Sequence, residues 1–253
     1  MAGGRHGIMA RMIQACLNGR RVTGEHPHLP VTPEDLAAQA RAAQAAGADS
    51  IHMHPRDADG RETLHRDSVD AALRAVREAC TVPVGVSTGI WMTGGDPRRR
   101  LDELARWSDL TEPPDFASVN ISEPAFEETT RLLRGLGVGI EVGIWSEDDA
   151  GAFAARYRGD HYARILVEVI DRPVDRSIAD ARRILDVLGG KDGAVPIQLH
   201  SDGDAAWPVL RLALRDGLET RIGLEDTLLD ADFLPAKDNA QLVAQAVRHR
   251  EAA

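Results

Sequence analysis

The chain has 253 residues, 43% of them hydrophobic and 28% charged, which is ordinary globular composition with enough apolar surface for a large core. Its formal net charge of -10 repels nucleic acid and anionic lipid, so neither is expected as a partner, although a local cationic site still admits an anionic substrate. No stretch approaches the roughly 20 apolar residues that span a bilayer, and the N-terminus lacks the apolar run of a signal peptide, so a cytoplasmic protein with no membrane partner is expected.

Short β-branched or aliphatic runs alternate with longer stretches at helical spacing. In chain order, a strand at 12–17 precedes a helix at 32–46, then come 50–54 with 67–79, 83–87 with 97–107, and 116–121 with 124–133. The pattern continues with 139–144 and 147–157, 164–169 and 175–188, 195–200 and 205–214, and 220–224 with 239–249. Thr32-Pro33-Glu34-Asp35 reads as an N-cap, a proline at the first helical position and acids in the first turn, and Gly47 closes that helix. Strict βα alternation implies parallel strands with right-handed crossovers. Eight units in a chain of this length favour an α/β fold of the (β/α)8 TIM-barrel type, one domain over residues 1–253, above an open doubly wound sheet. Arg98, Arg99 and Arg100 read as a solvated helix start. Cys16 and Cys80 lack CxxC spacing, so neither a disulfide framework nor a thiolate zinc site is expected.

Active sites of such barrels lie at the C-terminal ends of the strands. The second strand ends in His52-Met53-His54. Side chains two apart share a face, so both imidazoles point into the mouth while Met53 turns to the helix layer. Two imidazoles at this spacing suit zinc or a similar divalent ion better than they suit a plain strand end. The eighth strand leads into Arg221-Ile222-Gly223-Leu224-Glu225-Asp226. Glu225 would complete a two-histidine, one-carboxylate set, Gly223 leaves space, and a buried Arg221 needs an acid partner that Asp226 supplies. Read alone, this acid pair is equally a cap for the next helix. Ser87 and Thr88 close the third strand, before Gly89 and Thr93-Gly94-Gly95, where hydroxyls and amides suit a carboxylate. Asn120 ends the fourth strand, Glu141 lies within the fifth, Glu168 within the sixth, and His200 ends the seventh.

These runs resemble a known family. Ala15-Cys16-Leu17-Asn18-Gly19, the segment from His26 to Glu34, Ser50-Ile51-His52-Met53-His54-Pro55-Arg56-Asp57, Arg221 to Leu228 and Ala236-Lys237-Asp238-Asn239-Ala240 are similar to the signatures of the β-keto acid cleavage enzymes. The resemblance implies a zinc-dependent barrel that condenses a β-keto acid with acetyl-CoA, giving acetoacetate and a new acyl-CoA. It implies His52, His54 and Glu225 as zinc ligands and Asp226, tuned by Arg221, as the group that removes a proton between the two carbonyls. Ser87 and Thr88 would hold the substrate carboxylate, with Asn120 a further substrate-binding candidate, and Glu141 would contact the substrate's variable end. Similar proteins assemble as homo-oligomers, and the same is expected here.

An amidohydrolase-like metal-dependent hydrolase is the alternative. In that class, however, the HxH pair ends the first strand rather than the second, and more histidines or a lysine follow on the middle strands. A metal or ligand sensor on a barrel scaffold would not need Asp226 and Arg221.

Overall fold

The computed structural model describes residues 11–157, 161–190 and 195–253. Among these, eight strands alternate with eight α-helices. They run β1 (Ile13–Cys16), α1 (Pro33–Ala45), β2 (Ser50–Met53), α2 (Arg66–Ala79), β3 (Val84–Ser87), α3 (Pro97–Ala105), β4 (Phe116–Asn120) and α4 (Phe126–Gly135). They continue with β5 (Gly139–Ile144), α5 (Glu147–Arg156), β6 (Arg164–Glu168), α6 (Val174–Leu188), β7 (Ile197–His200), α7 (Ala206–Asp216), β8 (Thr220–Ile222) and α8 (Asn239–Ala252).

All strand pairs are parallel, in the order β7-β6-β5-β4-β3-β2-β1-β8. The seam between β7 and β8 closes through a parallel bridge of Gln198 with Glu219. There Leu199 N–H donates to Glu219 O at 2.9 Å and Glu219 N–H to Ile197 O at 3.0 Å. The open doubly wound alternative is thereby excluded, and the fold is a single (β/α)8 barrel. No helix among the described residues is long and apolar enough to cross a membrane.

The apolar core lies mainly between barrel and helices, where Ile51, Met53, Val84, Val86, Ile140, Val142, Leu199 and Ile222 are fully buried against the helix layer. The inside of the barrel is polar. Gln14, Glu141, Arg164, Gln198 and Arg221 are all buried. Parity along β5 and β8 puts Glu141 and Arg221 on the inward face and Ile140, Val142 and Ile222 on the outward one. Both cysteines are buried and unpaired.

Local chemistry sets several boundaries. Thr32 caps α1 through a reciprocal capping box with Asp35, and Gly47 follows its end at φ 102°. α4 starts at Phe126 rather than 124 because Ala125 sits in the left-handed region at φ 60°. β8 ends at Ile222, two residues before the expected end. A Cβ on Gly223 would come within 1.9 Å of the Cys16 carbonyl oxygen, so this glycine lets the chain turn tightly against β1. Arg100 corrects the reading of its run as solvated. It is fully buried, pairs with Glu123 and donates from Nη2 to Pro124 O at 2.5 Å. The third arginine of the run thus turns to the β4–α4 connection, where Glu123 and Pro124 satisfy it.

Candidate metal and acid–base site

A cavity of about 370 Å³ opens at the C-terminal ends of the strands, with Arg20, His52, His54, Ser87, Trp91, Asn120, Trp145, Glu168, His200, Asp202, Arg221, Glu225 and Asp226 among its lining residues. His52 sits on β2, whereas His54 lies one residue beyond it. Asn18 fixes that extra residue: its Nδ2 donates to His54 O at 2.9 Å and its Oδ1 accepts from His54 N–H at 2.9 Å. Asn239 does the same for the other arm, accepting from Leu224 N–H at 2.8 Å and donating to Leu17 O at 3.1 Å. Glu225 stands on a turn rather than on β8, with Asp226 N–H and Thr227 N–H both donating to Gly223 O at 3.0 Å. Gly19, at φ 54°, presses on it so closely that a Cβ there would come within 2.2 Å of Glu225 Cγ.

His52, His54 and Glu225 converge, each offering an atom within 4.8 Å of the others. Nε2 of His52 is 3.2 Å from Nε2 of His54, and these nitrogens lie 4.0 and 3.5 Å from the Glu225 carboxylate oxygens. Two nitrogens bound to one tetrahedral zinc at about 2.0–2.1 Å stand about 3.3 Å apart, so the histidine pair has the spacing of ligands. Glu225 Oε2 is buried without a hydrogen-bond partner among the described residues, which also suits a cation there. The donor set therefore fits a divalent metal site.

Electrostatics divides the pair. Burial holds the His52 pKa down at about 3, against the pull of Glu225. Burial also disfavours charge on His54, but Glu225 and Glu62 outweigh it and hold its pKa up at about 9. His54 Nδ1–H donates to Glu62 at 2.5 Å, and Glu62 in turn accepts from the Trp91 indole at 3.2 Å. Burial works against ionisation of Glu225, yet Arg221 and the two histidines keep its pKa well below the usual carboxylate range.

Arg221 and Asp226 form the expected pair. Asp226 Oδ1 accepts from Arg221 Nε at 3.1 Å and Nη2 at 2.7 Å, and Nη2 also donates to Glu225 at 2.6 Å. His200 Nδ1 lies 3.4 Å from the same Asp226 oxygen, and its Nε2 bonds Glu168 at 3.1 Å. Glu168 also accepts from the Trp145 indole at 2.9 Å. A polar chain thus crosses the mouth from Trp145 through Glu168, His200 and Asp226 to Arg221 and Glu225. Burial and Arg221 oppose a charge on His200, but Asp226 and Glu168 on its two sides raise its pKa. Asp226 Oδ2 has no hydrogen-bond partner among the described residues.

The substrate-binding candidates divide. Ser87 and Asn120 line the cavity, and Asn120 is steadied by Glu123 at 2.8 Å, itself held by Arg100. Thr88 is fully buried and its hydroxyl donates to Ser118 O at 2.6 Å, so it braces the strand end instead. Glu141 also departs from expectation. It is fully buried inside the barrel, accepts from Gln14 at 3.2 Å, pairs with Arg164 at 3.1 Å, and is not part of the cavity wall. Its place, third in a six-residue strand, puts it below the mouth. Sequence reasoning missed Glu62, Trp145 and Asn18 as parts of the site. Arg56 points away from the metal ligands, donating to Gly19 O at 3.0 Å and Arg21 O at 2.6 Å to brace the first loop.

The family model described as beta-keto acid cleavage enzyme matches residues 11–171 and 175–253. A 3-keto-5-aminohexanoate cleavage enzyme of Acetoanaerobium sticklandii is 26% identical over 94% of this chain and 90% of that protein. A 3,5-dioxohexanoate:acetyl-CoA acetone transferase of Paraburkholderia graminis is 31% identical over 80% of this chain and 77% of that protein. Among solved structures, the ternary complex of ObcA with a C4-CoA adduct and oxalate superposes with a TM-score of 0.73 at 18% identity. That match covers 89% of this chain but 64% of the ObcA chain, and at this identity it speaks for the barrel fold alone.

Proposed function

Since the chain belongs to the beta-keto acid cleavage enzyme family, we propose that it transfers the acyl part of a β-keto acid to CoA, with acetyl-CoA as co-substrate and acetoacetate as the second product. A substrate R–CO–CH2–COO⁻ and CH3–CO–SCoA then become CH3–CO–CH2–COO⁻ and R–CO–SCoA. The observation that carries this reading is Asp226, a buried carboxylate with one oxygen tied to Arg221 and the other without a partner among the described residues, beside a His–His–Glu set that lines the cavity.

His52, His54 and Glu225 would hold a divalent metal, for which we propose zinc. When bound, the metal polarises carbonyl oxygens and makes the proton between them more acidic. Asp226 Oδ2 takes that proton, while the Arg221 guanidinium on Oδ1 keeps the carboxylate oriented for the transfer. Ser87 and Asn120 orient the substrate carboxylate from the β3–β4 side. The variable end then lies toward Trp145, Asp171 and Asp202 rather than against Glu141. We further propose a cytoplasmic homo-oligomer, checked by light scattering of the purified protein.

The test is release of acetoacetate from a panel of β-keto acids with acetyl-CoA, using Asp226→Asn as control. Release that needs acetyl-CoA and collapses in the variant supports the reading. Acetyl-CoA-independent hydrolysis of an ester or amide by the metal-loaded protein would replace it with the hydrolase.

A further inference from the structure

Behind each metal-site histidine stands a carboxylate. For His54 it is Glu62, on the loop after β2, already bonded at 2.5 Å. For His52 it is Glu141, whose Oε2 lies 3.9 Å from His52 Nδ1. Both of these atoms are buried and neither has a hydrogen-bond partner among the described residues. An imidazole that offers its Nε2 lone pair to a metal carries its remaining proton on Nδ1. That N–H points into the barrel, where an unmatched donor is costly. Glu141 is an ionisable acceptor aimed at that atom, and Gln14 and Arg164 hold its other oxygen.

We propose that Glu141 is a positioning residue that accepts the Nδ1–H of His52 and thereby directs Nε2 of that ring toward His54 and Glu225. The inference rests on the metal site proposed above. It gives the two histidines matching supports of different kinds. Glu62 comes from the rim and is reached by Trp91 at the cavity wall. Glu141 comes from the barrel interior and is anchored by strands β1 and β6, through Gln14 and Arg164. Closing 3.9 Å to a hydrogen bond takes a shift of about 1 Å, within reach of a carboxylate pivoting on its held oxygen.

The experiment is chelator competition for zinc, and for cobalt by its visible spectrum, on the folded protein. Removing Glu141 alone would strand Arg164, so the variant is Glu141→Met with Arg164→Met, compared with Arg164→Met alone and with Glu141→Gln. We expect metal affinity to fall about ten- to a hundredfold in the double variant, with an altered cobalt spectrum. Arg164→Met alone, which keeps the acceptor, should stay close to wild type, and Glu141→Gln, which keeps an uncharged acceptor, should lie between. Equal affinity in wild type and the double variant overturns the positioning role and leaves the metal site standing. So does equal loss in both Arg164→Met proteins, which marks Glu141 as no more than a partner for Arg164. A wild-type protein that takes up neither metal overturns the metal site itself, and this inference with it.

Discussion

On the β1–β2–β8 side of the mouth, His52, His54, Arg221 and Asp226 are each 5% exposed or less; Glu62 and Asn18 brace His54, Asn239 holds the Leu224 N–H, and Gly19 presses on Glu225. On the β5–β6–β7 side, Glu168 and His200 are buried and bonded to each other, but around them Trp145, Ile170 and Asp202 are partly open and Asp171 is exposed. Among the described residues, the Asp202 side chain accepts only the Asp171 backbone N–H, at 2.8 Å. The first wall is organised before a substrate arrives, as electrostatic chemistry requires. The second has slack, and slack is where substrates of different shape are told apart. Lesions in the first wall should therefore damage turnover or metal binding, and lesions in the second should alter substrate preference.

The largest effect should come from Asp226→Asn, with turnover down about 10²- to 10⁴-fold and metal content unchanged, measured by steady-state kinetics beside metal analysis. If metal were lost together with turnover, Asp226 would belong to the ligand set rather than to proton transfer. Next, stripping the metal with a chelator should abolish turnover, and returning zinc should restore it. Full activity in the stripped protein would reduce the His–His–Glu set to structure.

A pH experiment separates the walls further. In the metal-free protein the His54 pKa is raised from 6.5 to about 9. Its contribution to stability is thus fully present below pH 6.5 and is lost as pH rises toward 9. Metal binding needs His54 neutral, so it should strengthen over the same interval. The melting temperature of the stripped protein should fall from pH 6.5 to 9 while the gap between loaded and stripped protein widens. A gap independent of pH would contradict the Glu62–His54–Glu225 arrangement. The smallest effect belongs to the open wall: Asp202→Asn should change KM for the β-keto acid by up to about tenfold and leave kcat near wild type. A change confined to kcat would move Asp202 into the chemistry.

The same contrast explains what could be read in advance. The eight βα units were legible because their hydrophobic periods differ so clearly, and His52 and His54 because two imidazoles two residues apart need no tertiary information to share a face. Glu225 was reached by strand parity although it stands on a turn, its place set by Gly223 and Gly19. Depth inside the barrel was not legible. Parity turns Glu141 inward but does not say which layer it occupies, and its register with Ser118 and Arg164 puts it below the mouth. Glu62 was invisible for another reason: it lies eight residues past His54 and returns only because the loop folds back through the Arg56–Glu62 bridge. Arg100 was misread because a run of three like charges does not reveal that its third member faces Glu123.

In the proposed reaction a carbon–carbon bond forms between the two substrates. It is tested most directly with acetyl-CoA carrying ¹³C in both acetyl carbons and an unlabelled β-keto acid. Bond formation yields acetoacetate labelled at its carbonyl and methyl carbons, unlabelled at its carboxylate and methylene, with an unlabelled acyl-CoA beside it. Unlabelled acetoacetate, or a free acid formed without any labelled acetoacetate, would contradict it.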